Sequence, residues 1–232
     1  MMSRLRGAVP PFWDTLEIDE RKQLEAAGRS YHIERRALVY QPGEPSESIY
    51  VVKNGLIRLV RPVQKGRELT LAMCERGHLF GESPLFDEAP RTHYAEAMLE
   101  TDLLEIPAAK ARAMLHGSTG LSMKFITALW NRKMDTDYRI EDVIFRDVPA
   151  RLARALLWLA EKYGEADPKG GKGIALRLTH QELASIVGTT RETTTLVLNK
   201  FKKDGLVTTT GRAMFIKRPD TLKAVGDSPG RR

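Results

Sequence analysis

The chain has 232 residues, of which 42% are hydrophobic, and it carries a formal net charge of +7 at pH 7. This length suits one large or two ordinary domains, each with a hydrophobic core. The single cysteine, Cys74, excludes an internal disulfide framework and a cysteine-cluster metal site. No apolar run approaches the roughly 18 residues of a membrane span, and the N-terminus lacks a signal-peptide core. We therefore expect a soluble, cytoplasmic protein.

The positive charge is concentrated toward the C-terminus. Residues 1–146 carry 21 basic and 21 acidic residues, whereas residues 147–232 carry 16 basic and nine acidic residues. The whole excess lies in one segment, which is typical of a module that binds nucleic-acid phosphates. The alternative is a basic tail without a partner, but Arg231 and Arg232 supply only two of these charges.

Short β runs dominate the N-terminal half, after a brief arm and a predicted helix over residues 20–27 that follows Asp19. Between residues 31 and 106, apolar runs alternate with glycine-containing turns such as Pro42-Gly43 and Asn54-Gly55. Many short strands with such turns predict an antiparallel barrel or jelly roll. A short helix over residues 108–116 is expected at its edge.

Within this β region, residues 80–95 suggest a site for a phosphorylated ligand. A Gly81-Glu82 turn leads into a short helical turn over residues 83–86, whose first N–H groups suit a phosphate. Arg91 supplies a fixed positive charge, and Glu82 can accept a hydrogen bond from a sugar hydroxyl. The spacing favours a ligand with phosphate and ribose, although each residue alone is most often plain surface.

A long helix is predicted over residues 121–145. Residues at alternating steps of three and four form one stripe, which is the pattern of a coiled-coil seam. The stripe consists of Ile126, Leu129, Lys133, Thr136, Ile140 and Val143. Such a seam favours pairing with a second copy in a homodimer. The alternative is packing of another face, with Phe125, Trp130 and Ile144, against the chain's own barrel.

The C-terminal domain is expected to begin at a helix start. Asp147 can cap this helix and Pro149 suits its first turn. The helix should continue to about Tyr163. We expect residues 164–173 to form a loop and the tail from Asp220 to fray.

Two short helices joined by a tight turn are predicted over residues 179–203. Thr179 and Glu182 can form a capping box, and Gly188 can end the first helix in a left-handed conformation. Thr190 can cap the second helix. Four residues of the second helix recur at helical spacing and should face inward: Thr194, Val197, Leu198 and Phe201.

The opposite face of the second helix is predicted to be exposed. It carries Arg191 and Glu192 in its first turn, followed by Thr195, Leu196 and Asn199. Such a helix in a helix-turn-helix suits the DNA major groove, and residues 206–217 should follow as a β-wing. The alternative is a surface helical hairpin with a solvated charged face.

The chain resembles the CRP/FNR family of transcription regulators in three motifs that follow the family's order. They are Phe80-Gly81-Glu82 with Pro90-Arg91-Thr92, then Phe145-Arg146-Asp147-Val148, then Ile186-Val187-Gly188 with Arg191-Glu192-Thr193-Thr194-Thr195. The resemblance spans roughly residues 18–218. It implies an α+β fold with an N-terminal β-roll or jelly-roll cyclic-nucleotide-binding domain, a long dimerisation helix and a C-terminal winged helix-turn-helix. We place these parts at residues 1–116, 117–146 and 147–232.

By the resemblance, cyclic AMP is the expected effector. The expected ligand residues are Gly81 and Glu82 for the ribose, Ser83, Arg91 and Thr92 for the cyclic phosphate, and Thr136 and Asp137 near the base. Thr136 matches the family's hydroxyl toward the base. Asp137 replaces a serine that the partner chain supplies in cyclic-AMP receptor proteins, and Ser83-Pro84 replaces the commoner Leu-Gly or Leu-Ala.

The resemblance also implies that the partners are double-stranded DNA with palindromic, TGTGA-like half-sites, and RNA polymerase. Arg191 and Glu192 match the family's base-contacting pair, because arginine can bind guanine and glutamate can accept from cytosine. Leu196 stands where cyclic-AMP receptor proteins commonly have another arginine, so we expect an altered preference at that base. The expected DNA-contacting residues are Thr179, Thr190, Arg191, Glu192, Thr193, Thr195, Leu196 and Lys200.

Other functions have weaker support. An iron–sulfur sensor needs several cysteines, and Cys74 is expected to be a small buried strand residue. His32, His78 and His93 lie on predicted strands or turns, which does not favour haem. We find no catalytic constellation and no metal-ligand cluster, so we expect neither an enzyme nor a metalloprotein. A regulator without an effector is the main alternative, and a cyclic-nucleotide-binding regulatory subunit of an enzyme is the second.

Overall fold

The computed structural model describes residues 9–87, 89–166, 172–210 and 213–228. The chain divides into two compact units. The N-terminal unit contains the described residues up to Pro62 and those from Thr70 to Thr136, and the C-terminal unit is built on the residues from Asp137 onward. Sheets come first and a helix-turn-helix last, so the predicted α+β class is confirmed.

Two four-stranded sheets form the framework of the N-terminal unit. In spatial order, the first consists of β1 (Arg29–Ile33), β8 (Thr101–Pro107), β3 (Ser48–Asn54) and β6 (Leu79–Phe80). The second consists of β2 (Leu38–Tyr40), β7 (Tyr94–Ala97), β4 (Leu56–Pro62) and β5 (Glu68–Glu75). Strands distant in sequence pair antiparallel, such as β3 with β8 and β4 with β7, which is the arrangement predicted for a β-roll.

Alternation along β3 explains why the first sheet is buried on both faces. Tyr50 and Val52 belong to a core between the two sheets, which also contains Ile57 of β4. Ile49 and Val51 belong to a second core on the other side, where the sheet meets helices. Because successive strand residues point to opposite faces, one short apolar run serves both cores.

Three helices cover the outer face of the first sheet: α1 (Ile18–Ala27), α2 (Ala108–Gly117) and the start of α3 (Thr119–Phe145). The predicted start of α1 was wrong. The helix begins two residues earlier, because Glu17 rather than Asp19 is the N-cap and forms a capping box with Glu20. The short helix predicted after β8 is confirmed as α2.

The helix α3 has 27 residues, and at 1.5 Å per residue it is about 40 Å long. Its first turns pack inward through Leu121 and Phe125, which are both buried. The seam residues Ile126, Ile140 and Val143 are each 53% exposed. Within this chain, five of the six predicted seam residues are therefore exposed, whereas Leu129 is partly buried against the core beneath the helices.

The C-terminal unit combines four helices with a small sheet. The helices are α4 (Val148–Lys162), α5 (His180–Val187), α6 (Arg191–Lys203) and α7 (Pro219–Asp227). The sheet consists, in spatial order, of β11 (Val207–Thr210), β12 (Ala213–Ile216), β10 (Lys172–Ile174) and β9 (Gly164–Ala166). Asp147 caps α4 by accepting a hydrogen bond from the N–H of Ala150 at 2.9 Å, and Pro149 lies in the first turn, both as predicted.

Two expectations for this unit were wrong. The segment predicted as a loop begins with β9 and ends in β10, and its middle lies outside the described residues. The tail does not fray from Asp220, because α7 forms there and buries Leu222 completely. Gly226 also lies close to α4, where an added Cβ would be 2.9 Å from Cγ of Arg154. Docking on α4 stabilises α7 more than its local sequence suggests.

A buried carboxylate joins three helices of this unit. Asp142, near the end of α3, is 6% exposed. It accepts a hydrogen bond from Nε of Arg146 at 2.9 Å and lies 3.4 Å from Nε of Arg154 on α4. Arg146 also donates to the carbonyl of Gly226 in α7 at 2.9 Å. The end of α3 is therefore tied to α4 and α7 through one acidic side chain.

Candidate nucleotide site and DNA interface

The predicted phosphate turn begins where β6 ends. Gly81 has a φ of +72°, and an added Cβ would lie 2.9 Å from Cδ2 of Tyr50. Glycine is thus needed for both its conformation and its space. The helical turn predicted after it is confirmed as a 3-10 helix over Ser83–Leu85. Pro84 has no N–H, so the first amide donors of the turn are those of Glu82 and Ser83.

Arg91 is a buried cation at the centre of this turn. Its residue is 3% exposed. Nη1 donates to the carbonyl of Gly81 at 2.8 Å and to Oγ of Ser83 at 3.3 Å, and Nη2 donates to the carbonyl of Ser48 at 2.5 Å. The guanidinium carbon lies 4.3 Å from the ring centre of Tyr40. Across the described part of the chain, Arg91 has no carboxylate partner and its Nε has no hydrogen-bond partner.

Buried charges are normally paired, and an isolated one costs free energy. The surroundings of Arg91 are instead carbonyl oxygens, a hydroxyl and an aromatic face. Such a site favours an anionic ligand, because the anion supplies the missing negative charge and accepts from the remaining N–H groups.

Glu82 is held by the long helix. Its carboxylate pairs with Nη2 of Arg132, whose Nη1 donates to the carbonyl of Leu79 at 3.3 Å. One turn later on α3, Thr136 is exposed, and its hydroxyl donates to the carbonyl of Arg132 at 3.0 Å. Arg132 therefore links the turn to the helix segment that carries Thr136.

Thr92 lies beside two residues that the sequence analysis did not select. Nη2 of Arg61 donates to its hydroxyl at 3.3 Å, and Nδ1 of His93 lies 3.3 Å from the same oxygen. Nε2 of His93 is 3.0 Å from the hydroxyl of Tyr40. Burial, together with nearby arginines, lowers the pKa of His93, and Glu82 opposes this shift. His93 is therefore neutral at pH 7.

The helix-turn-helix begins with the predicted capping box. The hydroxyl of Thr179 accepts from the N–H of Glu182 at 3.1 Å, and the Glu182 carboxylate accepts from the N–H of Thr179. Gly188 ends α5 at a φ of +73°. Arg151 of α4 donates to the carbonyl of Val187 at 3.0 Å, so a cation lies at the carbonyl end of α5. These caps fix the turn between the two helices.

The helix α6 has the two faces that its sequence predicts. Thr190 caps it by accepting from the N–H of Thr193 at 3.2 Å. The four inward positions are buried: Thr194, Val197, Leu198 and Phe201. The outer face exposes Arg191, Glu192, Asn199 and Lys200, while Thr193 and Thr195 are partly buried. Leu196 lies on the same exposed side of the helix and is 70% exposed.

Glu192 has a defined position at the start of α6. Hydrogen bonds to its own backbone N–H and to Thr190 lower the pKa of its carboxyl. The carboxylate is therefore ionised and can act only as an acceptor. Arg191, directly before it, is a donor only.

Comparison with known proteins identifies both units. Residues 31–118 match the family model of the cyclic nucleotide-binding domain, and residues 150–225 match the Crp-like helix-turn-helix domain. A CRP-like cAMP-activated global transcriptional regulator of Mycobacterium tuberculosis is 31% identical over 79% of this chain and 82% of the relative. The chain belongs to the CRP/FNR family of transcription regulators.

Two further relatives show the breadth of the CRP/FNR family. A global nitrogen regulator of Nostoc sp. is 29% identical over 93% of this chain and 90% of its own length. The crystal structure of a CRP-family transcriptional regulator from Thermus thermophilus has a TM-score of 0.76 and 26% identity, covering 85% of this chain and 97% of that chain. This CRP/FNR regulator therefore has the family's fold and is a DNA-binding transcription regulator.

In this CRP/FNR regulator, several of the predicted ligand residues lie together and others do not. Gly81, Ser83 and Arg91 are joined by hydrogen bonds, and Glu82 adjoins them in the same turn. Thr92 follows Arg91 and is held by Arg61. Thr136 ends the N-terminal unit's part of α3, whereas Asp137 begins the C-terminal unit's part.

Sequence analysis missed Arg132, Arg61 and His93. The only local signal for Arg132 was its position one turn before Thr136 on the same helix. His93 directly follows Thr92 in the predicted segment. Arg61 carried no local signal, because it is 31 residues from Thr92 in the sequence. Among the described residues that these contacts join, three arginines, at positions 61, 91 and 132, thus accompany one carboxylate, Glu82.

Cys74 is a buried strand residue, as predicted. It lies on β5 in the core between the sheets, and burial raises the pKa of its thiol to about 12. The thiol is therefore protonated at pH 7, which disfavours reactivity. In the part of the chain that the structure describes, no group of His, Cys, Asp and Glu side chains is arranged to hold a metal ion. No described helix is long and apolar enough to cross a membrane.

Proposed function

We propose that this CRP/FNR regulator is a homodimer whose affinity for DNA is increased by cyclic AMP. The effector proposal rests on the surroundings of Arg91. It is 3% exposed, has no carboxylate partner among the described residues, and leaves Nε without a hydrogen-bond partner. A cyclic phosphate has the charge and the acceptor oxygens that such a guanidinium needs.

The neighbouring groups suit the rest of a cyclic nucleotide. The hydroxyls of Ser83 and Thr92 can donate hydrogen bonds to the phosphate beside Arg91. The Glu82 carboxylate can accept a hydrogen bond from the ribose 2′-hydroxyl. The Arg132 side chain, which already pairs with Glu82, holds that carboxylate in place. We assign Thr136, with Asp137, to the base, since its hydroxyl is exposed one turn beyond Arg132.

A homodimer is favoured by the outer face of α3. Met123, Ile126 and Trp130 are 50–55% exposed, and Ile140 and Val143 are each 53% exposed. An apolar stripe along a helix of this length is costly in water and matches a copy of itself across a two-fold axis. Sedimentation of the wild type and of Ile126→Asp tests this. We expect the substitution to shift the protein toward monomer, whereas the exposed control Asp135→Asn leaves the dimer intact.

The DNA partner is proposed to be a palindrome of TGTGA-like half-sites. Arg191 and Glu192 are exposed in the first turn of α6, with the donor and acceptor character that guanine and cytosine require. The predicted contact set also includes Thr179, Thr190, Thr193, Thr195, Leu196 and Lys200. In a dimer, paired recognition helices reach successive major grooves about one DNA turn apart. We also propose contacts with RNA polymerase.

A regulator without an effector is the second candidate. It is favoured by the contacts already present in the turn, where Arg91 donates to Gly81 and Ser48 and Glu82 pairs with Arg132. Titration calorimetry with cyclic AMP separates the candidates. Measurable heat together with tighter DNA binding supports the gated regulator. Absence of heat, with DNA affinity unchanged, supports the second candidate.

A further inference from the structure

His180 connects the two helices of the helix-turn-helix. It is the first residue of α5, and its Nδ1 lies 2.8 Å from the hydroxyl oxygen of Thr195 on α6. Thr195 is on the same side of α6 as Arg191 and Leu196, which form the proposed DNA surface. The ring of His180 is therefore held at the edge of that surface.

The hydrogen bonds of Thr195 fix the tautomer of this ring. The Thr195 hydroxyl donates to the carbonyl of Arg191 at 2.8 Å, and a hydroxyl has only one proton to donate. Its oxygen must then accept from His180, so the neutral imidazole carries its proton on Nδ1. Nε2 is left with a lone pair, and it has no hydrogen-bond partner among the described residues.

The charges around the ring keep it neutral in the free protein. Burial is the largest cause that lowers the pKa of His180, followed by Lys202 and Arg191, the charged groups of α6 that act on it. The lone pair of a neutral Nε2 would face a negatively charged DNA phosphate oxygen, and the two would repel each other. Protonation converts Nε2 into a charged donor and reverses the interaction.

We propose that His180 binds a DNA backbone phosphate through Nε2 and takes up a proton when it does so. This inference rests on the proposed DNA surface of α6. Arg191 and Lys202 oppose the proton in the free protein, and a phosphate oxygen beside them supplies the compensating negative charge. The phosphate contact and the proton are therefore thermodynamically linked, and this link makes DNA affinity depend on pH.

The sign of the dependence follows from this linkage. The pKa of His180 is lowered in the free protein and is raised by the phosphate in the complex. The contribution to affinity is thus complete below the free pKa and is lost as pH rises through the pKa of the complex. Each unit of difference between the two values changes affinity about tenfold for each bound helix-turn-helix.

DNA affinity measured by fluorescence anisotropy, at constant ionic strength from about pH 5.5 to about pH 8, tests the proposal because histidine titrates in this range. The probe is the full-length protein with its selected operator. His180→Asn retains a donor for Thr195 but lacks Nε2, so weak binding at both ends of the range is expected. His180→Arg carries a permanent charge, so tight binding at both ends is expected. The control His32→Asn, in the N-terminal unit, should keep the pH dependence of the wild type.

Calorimetry of DNA binding in two buffers of different ionisation enthalpy counts the protons directly. The wild type is expected to take up protons near pH 7, and His180→Asn to take up fewer. The proposal would be overturned if DNA affinity depended equally on pH in the wild type and in His180→Asn, or if binding released protons. Nε2 would then face a base amino group or solvent. Failure of every variant to bind any DNA sequence would instead contradict the proposed function.

Discussion

At the scale of single residues, Arg91 serves the fold and the proposed ligand together. Two of its hydrogen bonds hold backbone carbonyls, at Gly81 and Ser48, and thereby shape the turn that precedes it. Its Nε has no partner in the described chain, and its charge has no carboxylate partner there. An anionic ligand would supply the negative charge that these structural contacts do not.

Arg91→Gln is expected to weaken cyclic AMP binding about 10- to 100-fold, because a hydrogen bond to a charged group contributes roughly 1.5–3 kcal/mol. It should also lower the free energy of unfolding by about 1–3 kcal/mol, since buried carbonyls lose their donors. Calorimetry and thermal unfolding measure the two effects. Arg29→Gln, which removes an arginine whose side chain is 76% exposed, is the control for both. Unchanged affinity in a folded Arg91→Gln protein would exclude Arg91 from the ligand site.

Leu196 is the residue that should distinguish this regulator's operator. It is 70% exposed on α6 and can touch a thymine methyl but cannot donate to guanine. We expect Leu196→Arg to add discrimination of about 1–3 kcal/mol in favour of guanine at one position of each half-site. Binding-site selection with purified protein measures this preference. If the substituted protein selects the same half-site as the wild type, Leu196 does not face a base.

At the scale of elements, the last turns of α3 depend on charges that come from other helices. Asp142 is contacted by Arg146, which directly follows α3, and by Arg154 of α4, and Arg146 also donates to the carbonyl of Gly226 in α7. The helix end is thus oriented by ionic contacts as well as by packing.

Asp142→Asn should lower the free energy of unfolding of the C-terminal unit by about 3 kcal/mol, because it removes the buried carboxylate that compensates two partly buried arginine charges. Thermal or urea unfolding followed by circular dichroism provides the measurement. Asp135→Asn lies on the exposed side of the same helix and should change stability by less than about 0.5 kcal/mol. Equal stabilities of the two variants would show that solvent screens the Asp142 cluster.

At the scale of the whole molecule, the proposed gating requires equal coupling in both directions. If cyclic AMP tightens DNA binding by some factor, then operator DNA must tighten cyclic AMP binding by the same factor. We expect a factor of about 5 to 150, which is the usual range for such coupling. Measuring nucleotide affinity with and without saturating operator DNA, at one salt concentration, tests this. Unequal factors would reveal a further linked equilibrium, such as a change in the monomer–dimer ratio.

The sequence by itself determined the elements whose causes are local. Short β runs and glycine turns predicted an antiparallel barrel or jelly roll, and caps at Thr179, Gly188 and Thr190 predicted the two helices and the turn between them. Each of these signals involves residues only a few positions apart, so it can be identified without the tertiary structure. The predictions of a loop over residues 164–173 and of a frayed tail from Asp220 were wrong for the same reason. The elements β9, β10 and α7 are stabilised by partners elsewhere in the chain, which local signals do not reveal.

Only the tertiary structure determined which polar groups from separate parts of the chain contact each other. Glu82 and Arg132 are 50 residues apart, Arg146 and Gly226 are 80 apart, and His180 and Thr195 are 15 apart. No local pattern specifies these pairs, since they depend on how strands and helices pack side by side. The sequence identified Arg91 as a candidate anion contact by its spacing from Glu82. Its burial, with no carboxylate partner in the part of the chain that the structure describes, follows from the packing of β3, the Gly81 turn and Tyr40 around it.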